Sequence, residues 1–333
     1  MLTNAIATAI DSIVLGPSVA VQNLTMIPLL AKPAGTHGTS TLSTLRTDSD
    51  AAGAAADYIV LDEALGSGVV EITEVSEAGS VPDLKLVNRG ARPVLIVDGE
   101  ELLGAKQNRI VNLSILVAAD SELTIPVSCV EAGRWRSRSR HFTAAPRTQY
   151  ATGRAKRMAD VSMSLMVRGD RVSDQAGVWA DIAQKAVRLE ADSPTSAMEA
   201  IFDRHVGSID EYVAGCCPVE GQVGAMFLVG DALIGFDLFD RPSTLARLLP
   251  KLVRSVAVDA IDAASTQSNP GEASDPGALR ARAEQFLAVA CEAPQHVTPA
   301  LGLGEDLRLT APRIAGAALV TDSHVVHLGA FAL

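Results

Sequence analysis

The sequence predicts an α+β fold, with an antiparallel, strand-rich N-terminal half and a C-terminal half of helices and two β-hairpins. Short runs in which apolar and polar residues alternate fill residues 58–131, a pattern typical of strands. Beyond residue 175, apolar residues recur at helical spacing. The chain has 333 residues, of which 48% are apolar and 20% charged, enough for a buried core.

The N-terminal half divides into short elements. Residues 4–14 predict an amphipathic helix and residues 19–30 a strand. Further strands are predicted at 69–75, 84–87, 94–97, 109–117 and 123–131. Asp98-Gly99 lies between two of them, and this dipeptide favours a two-residue hairpin turn.

The C-terminal half mixes helices with hairpins. Apolar spacing predicts helices at 178–186, 245–256 and 279–291, the second kinked at Pro250. Apolar hairpins are predicted at 223–239, turning at Gly230-Asp231, and at 315–331, turning near Asp322.

We expect one domain over residues 1–333, with a β-rich part at about 15–150 and a mixed part at about 175–333. Small and polar residues dominate 33–56 and 262–278, which predicts flexible segments.

The composition excludes several classes of protein. A net charge of −11 argues against wholesale wrapping of nucleic acid or of an anionic membrane. Two of the four cysteines are adjacent, a poor disulfide framework, so we expect reduced thiols and a cytoplasmic location. The N-terminus has no basic region and Asp11 interrupts its apolar stretch, so no secretion signal is predicted. Glycine, proline and asparagine interrupt the uncharged run at 12–31, so no membrane span is predicted. The scattered histidines predict no metal site, and no motif predicts a cofactor.

Glu100 and Glu101 follow the predicted turn. In a two-residue hairpin they would pair with Val97 and Ile96, beside aliphatic side chains on opposite faces of the sheet. Apolar surroundings raise the pKa of a carboxyl group, as a general acid or base requires. The alternative is a hairpin tip exposed to solvent.

Four donors come next, after Gly104: Lys106, Gln107, Asn108 and Arg109. Such a run suits a phosphate or a carboxylate, and the alternative is a polar loop that closes a strand. Lys106 is one of only six lysines beside 22 arginines. Because lysine is scarce, we expect Lys106 to be buried and within salt-bridge reach of Glu100, Glu101 or Glu131.

A second polar motif, at 125–135, contains Cys129, Glu131, Arg134 and Trp135. Cys129 is a candidate nucleophile if a base and a cation lie beside it. On a strand, where alternate residues share a face, Cys129 lies on the same face as apolar residues. Burial as a small apolar side chain is therefore the favoured alternative.

Eight cations and no acid lie between Glu131 and Asp160. They are Arg134, Arg136, Arg138, Arg140, Arg147, Arg154, Lys156 and Arg157. On a strand the first four would line one face and grip a phosphate-rich ligand. The alternative is a mobile basic loop, at a homo-oligomer interface for example.

Two segments resemble the ADP-ribosylglycohydrolase- and rhodanese-phosphatase-superfamily-associated protein domain family: DGEELLGAKQNRIVN at 98–112 and IPVSCVEAGRW at 125–135. The resemblance is strong over residues 26–168 and weaker over 221–262, and the insertion at 33–56 departs from it. It implies a binding or active site with nucleotide or ADP-ribose-like ligands, because the family's name records an association with domains that process such groups. The matching positions are Glu100, Glu101, Lys106, Gln107, Asn108, Arg109, Cys129, Glu131, Arg134 and Trp135.

The leading hypothesis is therefore an enzyme or ligand-processing domain for a phosphorylated, nucleotide-like small molecule. Glu100 or Glu101 would act as general acid or base, Lys106, Arg109 and Arg134 would hold the phosphate, and Trp135 would stack on a base or ribose. The alternative is a non-catalytic binding or scaffold protein whose motif shapes a partner surface, its charged residues then forming internal salt bridges. A third, less favoured hypothesis is an RNA-end binder, whose affinity would fall steeply with salt.

Overall fold

The computed structural model describes residues 5–33, 57–266 and 275–333. These ranges contain eight helices and 18 strands, twelve of the strands before residue 150, which confirms the α+β class and the strand-rich N-terminal half. The helices are α1 (Ala5–Asp11), α2 (Leu61–Gly66), α3 (Ala151–Arg168), α4 (Gln175–Arg188), α5 (Glu199–Arg204), α6 (Val206–Gly215), α7 (Pro242–Thr266) and α8 (Pro276–Glu292). None of the helices described is long and apolar enough to cross a membrane.

The strands of the first half are β1 (Ile13–Leu15), β2 (Val19–Val21), β3 (Leu24–Ala31), β4 (Ile59–Val60), β5 (Val70–Glu74), β6 (Asp83–Asn88), β7 (Val94–Ile96), β8 (Glu100–Gly104), β9 (Arg109–Val111), β10 (Ile115–Val117), β11 (Ser121–Cys129) and β12 (Phe142–Thr148). Those of the second half are β13 (Gln222–Val229), β14 (Ala232–Phe239), β15 (Gln295–Pro299), β16 (Glu305–Ala311), β17 (Ile314–Thr321) and β18 (His324–Ala332).

The largest sheet is antiparallel, with strand order β1-β3-β13-β14-β18-β17-β16-β15 and β2 paired to β3. It contains both predicted hairpins, which turn at Gly230-Asp231 and Asp322-Ser323 as expected. Asp322 and Ser323 have positive φ angles of 49° and 67°, the twist that a two-residue hairpin turn requires. The two hairpins lie side by side because β14 pairs with β18.

A six-stranded antiparallel sheet, in the order β12-β8-β9-β11-β6-β5, brings the two polar motifs together. In its register Arg109 on β9 lies opposite Leu102 on β8 and opposite Cys129 on β11. Neighbours in register share a face, so Arg109 and Cys129 point to the same side of the sheet. Glu101 lies opposite Ile110, on the other side.

Three strands form a small separate sheet in the order β10-β7-β4, of which β4 and β7 run parallel. The predicted strand at 109–117 is thus two strands, β9 and β10, which belong to different sheets. The short helix α2, with six residues, lies in the region predicted as strands.

Helices pack on these sheets through buried faces. α7 packs against β12 and β13, and α3 packs against β17 and β18. α3 was not predicted, because its buried face carries Arg154 and Arg157 beside Met158 and Val161 and its apolar stripe is interrupted. It ends at Gly169, whose φ of 76° closes the last turn.

Local signals explain where the other helices begin. Asp174 caps α4 and Asp275 caps α8, each accepting from backbone amides of the first turn. The helix predicted at 245–256 is longer, since α7 runs from Pro242 through Pro250 to Thr266. Of the two predicted flexible segments, residues 34–56 and 267–274 lie outside the described residues, whereas 262–266 are helical.

Candidate functional site

The turn at Asp98-Gly99 forms, but the hairpin predicted around it does not. The amide of Glu100 donates to the carbonyl of Val97 at 3.1 Å, and Gly99 has a φ of 84°. However, β7 pairs with β10 and β4, while β8 pairs with β9 and β12, so the expected cross-strand partners of Glu100 and Glu101 are wrong. The carboxylate of Asp98 is buried against the Arg157 guanidinium, at the point where the chain passes from one sheet into another.

Glu100 points at α7 and is fully buried. Its Oε1 lies 2.7 Å from Nζ of Lys251, and its Oε2 accepts from the amide of Val97 at 2.8 Å. Lys251 is also buried and reaches Asp62 at 2.8 Å. A buried lysine–glutamate pair therefore exists, but its lysine is Lys251 and not Lys106.

Glu101, also fully buried, is held on the other face of the sheet. Its Oε2 accepts from Nε of Arg147 at 2.6 Å, whereas its Oε1 has no partner within the described residues. Burial raises the pKa of Glu101 above its usual range, and the pull of Arg147 in the other direction does not cancel it. Burial thus perturbs this carboxyl group in the direction that a general acid needs.

Lys106 is only half-buried, and the predicted salt bridge is wrong. Its Nζ donates to the carbonyls of Glu77 and Ala78, both at 2.6 Å, and it forms no ion pair with Glu100, Glu101 or Glu131. The cause is local backbone geometry, since Gly104 at φ 129° and Ala105 at φ 36° turn the chain out of β8 toward residues 74–79.

Glu131 and Arg134 form an ion pair within the second motif, 2.6 Å apart and both buried. Burial acts to raise the pKa of Glu131, but donors from Arg134, Thr195 and Asn108 together lower it below the usual range. Arg134 also donates to the carbonyls of Ala105 and Gly104 at 2.6 and 3.3 Å. Arg134 therefore clamps the loop between β8 and β9.

Hydrogen bonds and ion pairs link most motif residues into one network. Asn108 accepts from Arg134 at 3.1 Å and donates to Glu199 of α5 at 3.3 Å. Glu199 lies 3.6 Å from Arg147, the partner of Glu101. A continuous chain thus runs from Glu131 to Glu101, and Glu100 is bound elsewhere.

Arg109 differs from Arg134, the other buried cation of the two motifs. It is fully buried, and its Nη1 donates to Oε1 of Gln107 at 2.7 Å. Its Nε and Nη2 have no partner, and it forms no ion pair with a carboxylate of the described ranges. Burial lowers the pKa of Arg109, while the nearby Cys129 and Glu74 act to raise it.

Cys129 lies beside Arg109 on the same face of the sheet, and its thiol is fully buried. Its Sγ donates to Oε1 of Gln107 at 3.1 Å, and Gln107 in turn donates to the carbonyl of Glu131 at 2.9 Å. Burial raises the pKa of the Cys129 thiol despite the Arg109 charge. The favoured prediction of burial is confirmed, and the thiol is the protonated form near neutral pH.

Two tryptophans border this cluster. The ring of Trp135, 48% exposed, lies 5.3 Å from Nζ of Lys106 and 5.8 Å from the guanidinium carbon of Arg109. Trp179 of α4 approaches the Cys129 thiol, and its buried indole N–H has no partner in the described part of the chain. We call Lys106, Gln107, Arg109, Cys129, Trp135 and Trp179 the Arg109 site.

The basic stretch does not form the predicted arginine face. Residues 132–141 are irregular, with Arg136, Arg138 and Arg140 exposed. Gly133 packs so closely on Thr195 that a Cβ at this position would lie 2.9 Å from the Cα of Thr195. The buried cations of the stretch diverge, since Arg147 pairs with Glu101, whereas Arg154 and Arg157 both reach Asp98. The stretch is therefore neither one strand nor one surface.

The described residues offer few other candidate binding sites. Within residues 5–33, 57–266 and 275–333, no group of three or more histidine, cysteine or acidic side chains could hold a metal ion. One cavity of about 250 Å³ lies beside Tyr58 and the start of α7, and another of about 310 Å³ lies between α3 and α4. Neither is lined by residues of the Arg109 site.

The side chains that hold the motif residues in place were not predicted from the sequence. Lys251, Glu199 and Thr195 come from distant parts of the chain, and Thr195 donates to Oε1 of Glu131 at 2.8 Å. Only Lys251 carried a signal, because it follows Leu248 by three residues and so lies at the edge of the apolar stripe of α7.

Comparison with known proteins agrees with the resemblance in the two motifs and extends it along the chain. No curated protein and no solved structure matches the chain. One family model does match, over residues 12–331, which includes the insertion at 33–56 and the C-terminal hairpins. The chain therefore belongs to the ARPP-1 family, the ARG and Rhodanese-Phosphatase-superfamily-associated Protein domain.

Proposed function

We propose that the protein binds a phosphorylated, nucleotide-like small molecule at the Arg109 site, where Arg109 holds the phosphate. The observation that supports this proposal is a fully buried guanidinium with two unpartnered N–H groups and no ion pair to a described carboxylate. Isolated buried charges cost several kcal/mol, and buried donors without partners in a folded protein need an explanation such as a bound ion. Two phosphate oxygens match the fork of a guanidinium.

Trp135 and Lys106 extend the site toward solvent. Trp135 lies over Arg109 and exposes about half of its surface, so a base or ribose can stack on it. Lys106 adds a second cation beside the same ring. This arrangement supports a ligand whose phosphate lies inward and whose flat group lies outward.

The positions of the glutamates favour binding over an acid–base reaction at this site. Glu100 is neutralised by Lys251, and Glu101 is paired with Arg147 on the sheet face opposite to Arg109. The association recorded in the family's name favours nucleotide or ADP-ribose-like ligands, and it supplies no reaction.

The second candidate is a scaffold function, in which the motif only shapes a partner surface. The internal network from Glu131 to Glu101 favours it, because most charged motif residues already satisfy one another. The unpartnered donors of Arg109 and Trp179 are what this alternative leaves unexplained.

A thermal-shift panel of ADP-ribose, NAD, nucleotides, sugar phosphates and inorganic phosphate tests the proposal. A ligand at a hundred times its Kd should stabilise the protein by about 2.7 kcal/mol. We expect Arg109→Met to abolish the shift and Arg140→Met, which alters an exposed arginine, to retain it. No shift with any compound would contradict binding and support the scaffold. Binding of RNA ends that weakens steeply with salt would replace the small molecule by RNA.

A further inference from the structure

Ser114, His327 and Asp237 form a chain of hydrogen bonds beside the Asp98-Gly99 turn. The Oγ of Ser114, between β9 and β10, lies 2.7 Å from Nδ1 of His327 on β18. The Nε2 of the same imidazole lies 3.0 Å from Oδ1 of Asp237 on β14. A nucleophile, a base and a carboxylate thus stand in the order of a hydrolytic triad.

The hydrogen-bond partners determine where the protons are. Asp237 accepts from Nη1 and Nη2 of Arg154 at 3.0 and 2.8 Å. Burial opposes its ionisation, but Arg154 and His327 hold the pKa of Asp237 far below its usual range. An ionised carboxylate can only accept, so Nε2 of His327 donates to Asp237. In the neutral tautomer that this hydrogen bond selects, Nδ1 carries a lone pair that accepts from the Ser114 hydroxyl.

The amide of Asp98 occupies the other side of this hydroxyl, donating to Oγ of Ser114 at 3.0 Å. An N–H group in that position stabilises negative charge on the oxygen when its proton leaves. Ser114 is only half-buried, whereas His327 and Asp237 are 1% and 2% exposed. Of the three residues, Ser114 is thus the one nearest the surface, and its hydroxyl contacts a buried imidazole.

The surrounding sheet fixes the imidazole in place. His327 stacks on Phe239 with ring centroids 4.8 Å apart and an angle of 25° between the planes. Asp237 lies directly opposite Gly329 in the β14–β18 register. A Cβ at Gly329 would lie 3.3 Å from Oδ1 of Asp237 and 3.5 Å from Cε1 of His327, so this glycine leaves room for the pair.

We propose that Ser114, His327 and Asp237 form a catalytic triad that hydrolyses carboxylic esters. Oγ of Ser114 forms a bond to the carbonyl carbon while its proton passes to Nδ1 of His327. That proton then passes to the alcohol oxygen as the C–O bond to the alcohol breaks. Water attacks the acyl-serine in the same way, which releases the carboxylic acid and restores the Ser114 hydroxyl. Asp237 stays ionised throughout and stabilises the transient imidazolium.

The triad goes beyond the proposed ligand site, since it uses none of the side chains of the Arg109 site. No local sequence motif indicates the triad, because Ser114 and His327 are 213 residues apart and His327 and Asp237 are 90 residues apart. The antiparallel register of β14 and β18 alone brings the histidine and the aspartate together.

A fluorophosphonate probe, which reacts with base-activated serines, tests the triad on the full chain. We expect labelling of Ser114, located by peptide mass spectrometry, with loss of fluoride from phosphorus. Ser114→Ala should abolish labelling, and His327→Gln should slow it by about 100-fold or more, the usual contribution of a positioned base. Ser121→Ala is the matched control, because Ser121 is equally half-buried but donates only to the Ala118 carbonyl.

Hydrolysis of 4-nitrophenyl acetate gives the second readout. We expect kcat/KM to fall about 100-fold or more in Ser114→Ala and to remain unchanged in Ser121→Ala, with both variants melting near the wild-type temperature. Absence of Ser114 labelling in the folded wild-type protein would overturn the proposal, whatever the variants do. Equal hydrolysis by wild type and a folded Ser114→Ala variant would overturn it as well.

Discussion

Replacing Arg109 by methionine should leave the free energy of unfolding unchanged or raise it. The variant removes two buried donors without partners, each of which costs about 1–3 kcal/mol. It also loses the charged hydrogen bond to Gln107, which contributes about 1.5–3 kcal/mol, and the contact with Trp135. Gln107 still accepts from the Cys129 thiol, so no new unpaired acceptor arises. Subtracting this loss from the total gain of about 2–6 kcal/mol leaves a net change between about −1 and +4.5 kcal/mol, so the balance favours stabilisation.

Arg134→Met is the matched comparison, because Arg134 is also an arginine buried in the motif. Its removal leaves the carboxylate of Glu131 buried without its 2.6 Å partner and frees the loop carbonyls of Gly104 and Ala105. Breaking a buried ion pair in this way should lower the free energy of unfolding by about 3–5 kcal/mol. The two arginine-to-methionine substitutions are therefore expected to change the free energy of unfolding in opposite directions.

Urea unfolding followed by far-UV circular dichroism measures both changes without relying on the tryptophans near Arg109. We expect an unfolding midpoint for Arg109→Met close to or above that of wild type and one for Arg134→Met well below it. A loss of 3 kcal/mol or more in Arg109→Met would mean that Arg109 is satisfied within the protein, and it would remove the argument for a ligand there.

Three further outcomes follow from the same contacts. Lys251→Met should cost about 3–5 kcal/mol in urea unfolding, because it leaves Glu100 buried and unpaired, whereas Lys106→Met should change stability by less than about 1 kcal/mol. Glu101, with its raised pKa, should cause stability to fall as pH rises above its ordinary value of 4.5, whereas Glu131, with its lowered pKa, should cause stability to fall as pH drops below 4.5. Glu101→Gln and Glu131→Gln should therefore alter the pH–stability curve in opposite directions, and changes of the same sign would contradict the assignment. Iodoacetamide should alkylate the exposed Cys217 in the native protein and Cys129 only after unfolding, as peptide mass spectrometry can show.

The spacing of apolar residues and the residue types at the turns predicted much of the fold, because both depend on residues close together in the sequence. The two C-terminal hairpins turn where their loop residues indicate, and most strands of the first half lie where apolar alternation places them. Sheet membership was not predictable in the same way. A tight turn at Asp98-Gly99 is compatible with a hairpin and with a passage between sheets, and the side chain that binds Asp98 here, Arg157, is 59 residues away.

The same limit explains the outcome at the site. Two motifs separated in sequence do meet, because β9 and β11 are neighbours and place Arg109 against Cys129. The charges on those motifs gave no indication of whether they were already neutralised. Arg147 and Lys251 decide this for Glu101 and Glu100, and they come from β12 and α7.

The scarcity of lysine did mark special positions, although Lys106 is not one of them. Lys185 and Lys251, 3% and 4% exposed, each lie between two carboxylates. The Nζ of Lys185 is 2.8 Å from both Asp259 and Asp262, and that of Lys251 is within 2.8 Å of Asp62 and Glu100. A compact ammonium with three donors can serve two carboxylates from one point, whereas a planar guanidinium matches one carboxylate along one edge. In a chain that otherwise uses arginine, the buried lysines thus stand where two acids converge, and composition alone could not tell which of the six lysines these would be.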